Sequence, residues 1–200
     1  MIKKPFFVLL FLLLAASAFA ETNLGAGLNF GYGSSKSDLE KYADATYPTY
    51  KYEDTGSGIF TIEAILESNS IINLPEQHRL GARLGFESRG VEKAEYPTGK
   101  IELNYWEVPI TLYYKYMTSD SWGLFGGLGL AYGKAYSTEK SVTKFHPFIT
   151  GGVEYRFTNW FGLGFDLKYN AGAEYKKDGF VYRDVNGMEG ALTVRFYLMD

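Results

Sequence analysis

Eight times along this chain, about ten residues alternate between apolar and polar or glycine positions, and the charged side chains of each run gather on one face. Period two is the repeat of an extended strand, because successive side chains point to opposite faces. Residues 23–32 set Leu24, Ala26, Leu28, Phe30 and Tyr32 against Asn23, Asn29 and three glycines. Residues 58–67 set Phe60, Ile62, Ala64 and Leu66 against Thr61, Glu63 and Glu67, and residues 78–89 set Leu80, Ala82, Leu84 and Phe86 against Arg79, Arg83, Glu87 and Arg89. Runs at 103–116, 122–133, 148–157, 161–170 and 188–198 repeat the theme. In the last, Leu192, Val194, Phe196 and Leu198 oppose Ala191, Thr193, Arg195 and Tyr197.

Runs of this length match strands that cross a bilayer at a tilt. Long polar connections at 33–57, 90–102, 134–147 and 171–187 alternate with shorter ones at 68–77, 117–121 and 158–160. Short turns on one side and long loops on the other are the habit of bacterial outer-membrane barrels, and an even strand number puts both termini at the turn side. The expected fold is therefore all-β, an eight-stranded antiparallel up-and-down transmembrane β-barrel. A soluble carrier barrel also alternates, but with its apolar face inward. Here the apolar faces are almost free of charge. The opposite faces carry Glu63, Glu67, Arg83, Glu87, Glu107, Lys115, Glu154, Arg156, Asp166, Lys168, Glu189 and Arg195, interspersed with glycine. Trp106, Trp122 and Trp160 stand near run ends, as interfacial aromatic girdles do.

Residues 1–20 read as a signal peptide: Lys3 and Lys4, an apolar stretch, then Ala18-Phe19-Ala20 as a small-x-small cleavage site. Residues 21–200 are then the barrel domain. Loss of Lys3 and Lys4 takes the formal charge from −3 to about −5, which argues against nucleic acid as a partner. With no cysteine, disulfides and thiol-ligated metals are excluded.

The segment Leu103-Asn-Tyr-Trp-Glu-Val-Pro-Ile-Thr-Leu-Tyr-Tyr-Lys-Tyr116 resembles the Tyr-x-Glu-(Ile/Val)-Pro strand of the outer-membrane β-barrel family that includes PorT-like proteins, found in Bacteroidetes and related Gram-negative bacteria. Tyr105, Glu107, Pro109 and Tyr116 match its pattern. The glycine-rich run 123–133 and Asn159-Trp-Phe-Gly-Leu-Gly-Phe165 look like its later strands. In the terminal strand Gly190 sits one residue out of the usual spacing to Val194 and Phe196. The resemblance implies an eight-stranded outer-membrane barrel, with type IX secretion as one role among its members.

Candidate chemistry is sparse. His146, in Phe145-His-Pro-Phe148, is expected as an interfacial residue at the outer rim, since no serine and acid stand at a recognisable spacing to make it catalytic. His78 is expected to be solvated at the start of the third run. No Glu/His spacing suits a metal, and no cofactor is expected; the glycine-rich run 123–133 lacks the Lys-Ser/Thr of a phosphate loop. Pro109 cannot donate to a ladder, so a bulge is expected there. Eight strands leave a lumen that side chains fill, and buried charges there must pair; Arg195 has Glu63, Glu107 and Glu189 as candidate partners. Tyr42, Tyr47, Tyr50 and Tyr52, among charged residues of the first long loop, are candidate contacts to a surface partner.

These observations point to a small integral outer-membrane barrel with a structural or surface-interaction role through its loops, and no catalytic activity. Expected partners are outer-membrane lipid and lipopolysaccharide, the barrel-insertion machinery during biogenesis, and a surface partner. The alternatives are a lipid-A- or phospholipid-modifying enzyme, a narrow channel, a type IX secretion-associated barrel and a periplasmic lipocalin-like carrier.

Overall fold

A computed structural model describes residues 22–47, 49–69 and 74–198; the expected signal peptide and Met199-Asp200 lie outside the described residues. In chain order the elements are β1 (Thr22–Gly33), α1 (Leu39–Thr46), β2 (Lys51–Asp54), β3 (Gly58–Ser68), β4 (His78–Arg89), β5 (Glu92–Tyr96), β6 (Gly99–Met117), β7 (Trp122–Tyr136), β8 (Ser141–Thr158), β9 (Phe161–Asn170), β10 (Glu174–Lys177), β11 (Phe180–Asp184) and β12 (Gly187–Tyr197). Eight of them close a ring, β1–β3–β4–β6–β7–β8–β9–β12, in which β12 returns to pair with β1. Every pairing is antiparallel. Closure leaves the wall no free edge, the condition for crossing lipid with strands.

The apolar face points outward. Leu112 is 62% exposed, Leu128 66% and Leu192 68%, while Arg195 and Lys115 behind them are fully buried. Such a surface is insoluble in water and matched to hydrocarbon. Two aromatic belts bound it. At the loop end Phe86 packs on Trp106 and Trp106 on Tyr132, which meets Phe145. At the turn end Trp122 packs on Tyr155, Trp160 on Phe196, and His78 on Tyr116. From Trp106 to Tyr116 the strand runs about 33 Å at roughly 3.3 Å per residue, or about 23 Å of depth at a 45° tilt, close to the apolar band of such barrels.

Two expectations are corrected. Pro109 makes no bulge: the β4–β6 register holds the same offset from Leu84↔Ile110 to Glu87↔Glu107, and the ladder merely lapses between them. Opposite Pro109 stands Gly85, where a Cβ would lie only 3.1 Å from the ring, so glycine rather than an extra residue accommodates the proline. On the other side Pro109 keeps its place opposite Ala131. The long connections are not loose polar loops either. The wall strands β6, β7 and β8 run on past the belt, β5 adds to β6 and β2 to β5, and α1 and the β10–β11 hairpin fill the space over the mouth. Asp178 and Gly179, both at positive φ, form the two-residue turn of that hairpin.

This cap has its own apolar core of Leu39, Ala43, Ala94, Leu103, Tyr105, Ala135, Ala173, Tyr175, Tyr182 and Val185. Along β6 the pattern inverts at Tyr105–Trp106. Odd positions face inward throughout: below it they include Glu107, Thr111 and Lys115, and above it they are Ile101 and Leu103, with Lys100 and Glu102 outward. Among the described residues no helix is long and apolar enough to cross a membrane.

Candidate functional site

Among the described residues the lumen holds seven carboxylates and seven cations in linked groups. At the turn end Glu67 takes Lys115 at 2.6 Å, Arg156 at 2.8 Å and Arg79 at 3.5 Å, and accepts from the Tyr113 hydroxyl at 2.7 Å. Glu154 joins this group to the middle one, accepting from Lys115, Arg156, Arg195 and Tyr197. In the middle Arg195 and Arg83 share Asp166 at 2.6 and 2.8 Å, and Arg195 reaches Glu63 at 3.4 Å. The Arg83 guanidinium lies 4.4 Å from the Tyr113 ring centre and 4.3 Å from that of Phe125. At the loop end Lys168 contacts Glu87, Glu107 and Glu189, while Arg89 contacts Glu87 and Glu189.

Ions removed from water need opposite charges to offset desolvation, and this equality of signs supplies them. A cavity of about 70 Å³, lined by Asn29, Arg83, Asp166 and Lys168 among others, remains within the network. That is room for on the order of two waters. The expected partner of Arg195 is thus found in Glu63, but Glu107 and Glu189 belong to Lys168 and Arg89 instead; Glu154 and Asp166 take their places. Strand stagger around the barrel decides this, and alternation does not report it.

The motif residues divide between faces. Tyr105 and Glu107 are buried in the upper lumen, where the Tyr105 hydroxyl donates to Glu107; Pro109 lines the small cavity, and Tyr116 faces outward in the turn-end belt. His146 is no interfacial residue. It is fully buried under the cap, with Nδ1 3.1 Å from the Tyr175 hydroxyl and Nε2 3.5 Å from Glu107. Its inward parity on β8 outweighs the lipid-facing Phe145 and Pro147 beside it. His78 is half-buried, its ring nitrogen against the Tyr114 hydroxyl. Among the described residues no three His, Asp or Glu side chains converge as metal ligands.

The cap brings the four loop tyrosines together with residues the sequence did not single out. Tyr47 stacks on Tyr96 at 3.9 Å between ring centres, and Tyr42 meets Phe180 edge-on. The hydrogen bond with Tyr96, with burial secondary, pushes the Tyr47 phenol up to about 12. Tyr52 donates to Glu92 at 3.3 Å, and burial, then the Glu92 charge, raises its pKa. Tyr50 packs partly buried on the cap core, and Tyr42 stays largely exposed. Arg183 is the cap's central polar residue. It is fully buried and bonds Glu92 at 2.7 Å, Ser35, and the carbonyls of Gly90 and Leu103. Burial pulls its pKa below the ordinary arginine value, and Glu92 opposes that pull. Arg183 and Glu92 are 91 residues apart, so no local pattern pairs them. Helix α1 did leave a signal: Leu39 and Ala43 at i and i+4, both buried, after Ser37, whose hydroxyl accepts from the Leu39 amide.

A family model described as "Outer membrane protein beta-barrel domain" matches residues 6–196. The chain belongs to that family. Membership and fold place it in the outer membrane, with the cap on the loop side. Ail, the attachment invasion locus protein of Yersinia pestis, is 13% identical with a TM-score of 0.54, over 88% of this chain and 96% of that one. Neisserial surface protein A is 13% identical with a TM-score of 0.50, over 88% and 96%. OprG from Pseudomonas aeruginosa is 10% identical with a TM-score of 0.50, over 90% and 96%. At such identities the likeness is one of fold. No curated protein matches the sequence.

Proposed function

We propose that this protein is a non-enzymatic outer-membrane barrel of the PorT-like type that holds a rigid external cap for contact with partners at the cell surface. The observation that carries this is the pairing of a lumen filled by ion pairs with a cap that has a hydrophobic core of its own. A channel needs an open path, and the lumen cavity of about 70 Å³ is hemmed in by ion-paired side chains such as Arg83, Asp166 and Lys168. A lipid-modifying enzyme needs its histidine open to the outer leaflet, and His146 is enclosed between Glu107 and Tyr175. A folded cap presents a fixed surface at small entropic cost on binding. In this proposal the outward apolar band meets outer-membrane lipid and lipopolysaccharide, and β12 is the segment read by the barrel-insertion machinery.

The test compares the intact protein with a variant in which short glycine-serine turns replace α1–β2 and β10–β11. Planar-bilayer recordings of the intact protein are expected to stay flat. Cells displaying it are expected to adhere to lipopolysaccharide-coated surfaces or to other cells, and cells displaying the shortened variant to lose that adhesion. Discrete conductance steps, or adhesion unchanged by removal of the cap, would contradict the proposal.

A further inference from the structure

Above the aromatic belt, the outward face of the β2–β5–β6 sheet is a checkerboard of charge. Lys51 and Glu53, Lys93 and Glu95, and Lys100 and Glu102 form ion pairs along their own strands. Across strands Lys51 stands opposite Glu95 and Glu53 opposite Lys93, then Lys93 opposite Glu102 and Glu95 opposite Lys100. Each charge within the sheet therefore meets the opposite sign in two directions. The pattern stops at β2, which pairs with β5 on one side and, among the described residues, with no strand on the other. An open strand edge is a template for another strand, and a short, charged one rejects apolar segments.

The charges of this edge are self-complementary. A second β2 laid antiparallel about Tyr52 puts Lys51 against Glu53 of the second copy, and Glu53 against its Lys51. A parallel copy puts lysine against lysine and glutamate against glutamate, which is destabilising. Orientation then follows from the membrane. β2 runs in the same direction as β6, toward the bilayer, so two copies in one membrane would present parallel edges. Two copies on facing membranes present antiparallel ones.

We propose that the free β2 edge is a self-recognition strand: it pairs antiparallel with β2 of a second copy on a facing outer membrane and tethers the two surfaces. This rests on the cap being an exposed contact surface, as proposed above. A four-residue edge makes each pair weak, and many copies per membrane add up through multivalency.

The chain has no cysteine, so single cysteines report without background. Intact wild-type protein, Lys51→Cys and Glu53→Cys are reconstituted in separate vesicles, and folding is checked by the heat-dependent gel shift. A membrane-impermeant maleimide is expected to label both cysteines. Wild-type vesicles are expected to aggregate. They should disperse with a peptide of residues 49–55 but not its scramble, and near 1 M salt, where screening acts within about 3 Å. Mixed Lys51→Cys and Glu53→Cys vesicles are expected to yield a disulfide-linked dimer on oxidation, several-fold above Lys51→Cys vesicles alone. No labelling would overturn both the surface role and the pairing. Labelling without aggregation, or equal cross-linking of Lys51→Cys with itself, would overturn self-recognition and leave the surface role standing.

Discussion

The membrane-spanning wall and the cap are built from the same strands and obey opposite rules. Below Trp106, β6 sends Ile110, Leu112 and Tyr114 outward and keeps Glu107, Thr111 and Lys115 inside; above it, Lys100 and Glu102 face out and Ile101 and Leu103 face in. The strand does not change register or direction at that point. What changes is the solvent outside it. Lipid rewards an apolar exterior and forces charges to pair in the lumen. Water rewards a charged exterior and drives apolar groups together over the mouth. One backbone thus carries two cores, an ionic one and a hydrophobic one, joined where Tyr105 touches both Glu107 and Tyr175.

The sharpest way to break the ionic core is to remove a cation that holds three carboxylates. Arg195→Met leaves Glu63, Glu154 and Asp166 short of a buried partner and is expected to cost about 3–5 kcal/mol, read from urea unfolding of the folded barrel in vesicles. Leu103→Ala attacks the other core. Its cost of about 2–5 kcal/mol is expected to fall on the cap, with faster hydrogen exchange in β10–β11 and external protease cleavage there, while the gel shift of the barrel persists. Leu128→Arg on the lipid face should cost about 2–4 kcal/mol near mid-bilayer, again by urea unfolding in vesicles. Loss of a charge above the belt should be nearly silent. Lys100→Ala, at a side chain 58% exposed, is expected to stay within about 1 kcal/mol by the same measurement.

The comparison also explains what could be read from the sequence. The spanning runs were legible because lipid on one side and packed charge on the other impose strict alternation; the bounds His78–Arg89 and Phe161–Asn170 emerge unchanged in β4 and β9. The same alternation continues through Lys100-Ile-Glu-Leu103 and Glu92-Lys-Ala-Glu-Tyr96, but with its sense reversed, and a rule that equates the apolar face with lipid reads it as polar loop. Ion-pair partners were legible only as a set. That Arg195 takes Asp166 while Lys168 takes Glu107 depends on strand stagger, and Arg183 meets Glu92 only because the chain folds back over the mouth. His146 departs from the expected rim position for a related reason: Phe145 beside it belongs to the belt, but parity turns the imidazole to the interior.

The most direct test of this inversion is a cysteine scan of the outward positions of β6 in outer membranes, with a membrane-impermeant maleimide added from outside. Cysteines at Lys100, Glu102 and Asn104 are expected to react, and those at Val108, Ile110, Leu112 and Tyr114 to stay protected, with the change at Trp106. Labelling that continues evenly through 108–114, or protection that extends to 100, would contradict a strand that passes from water into lipid at that residue.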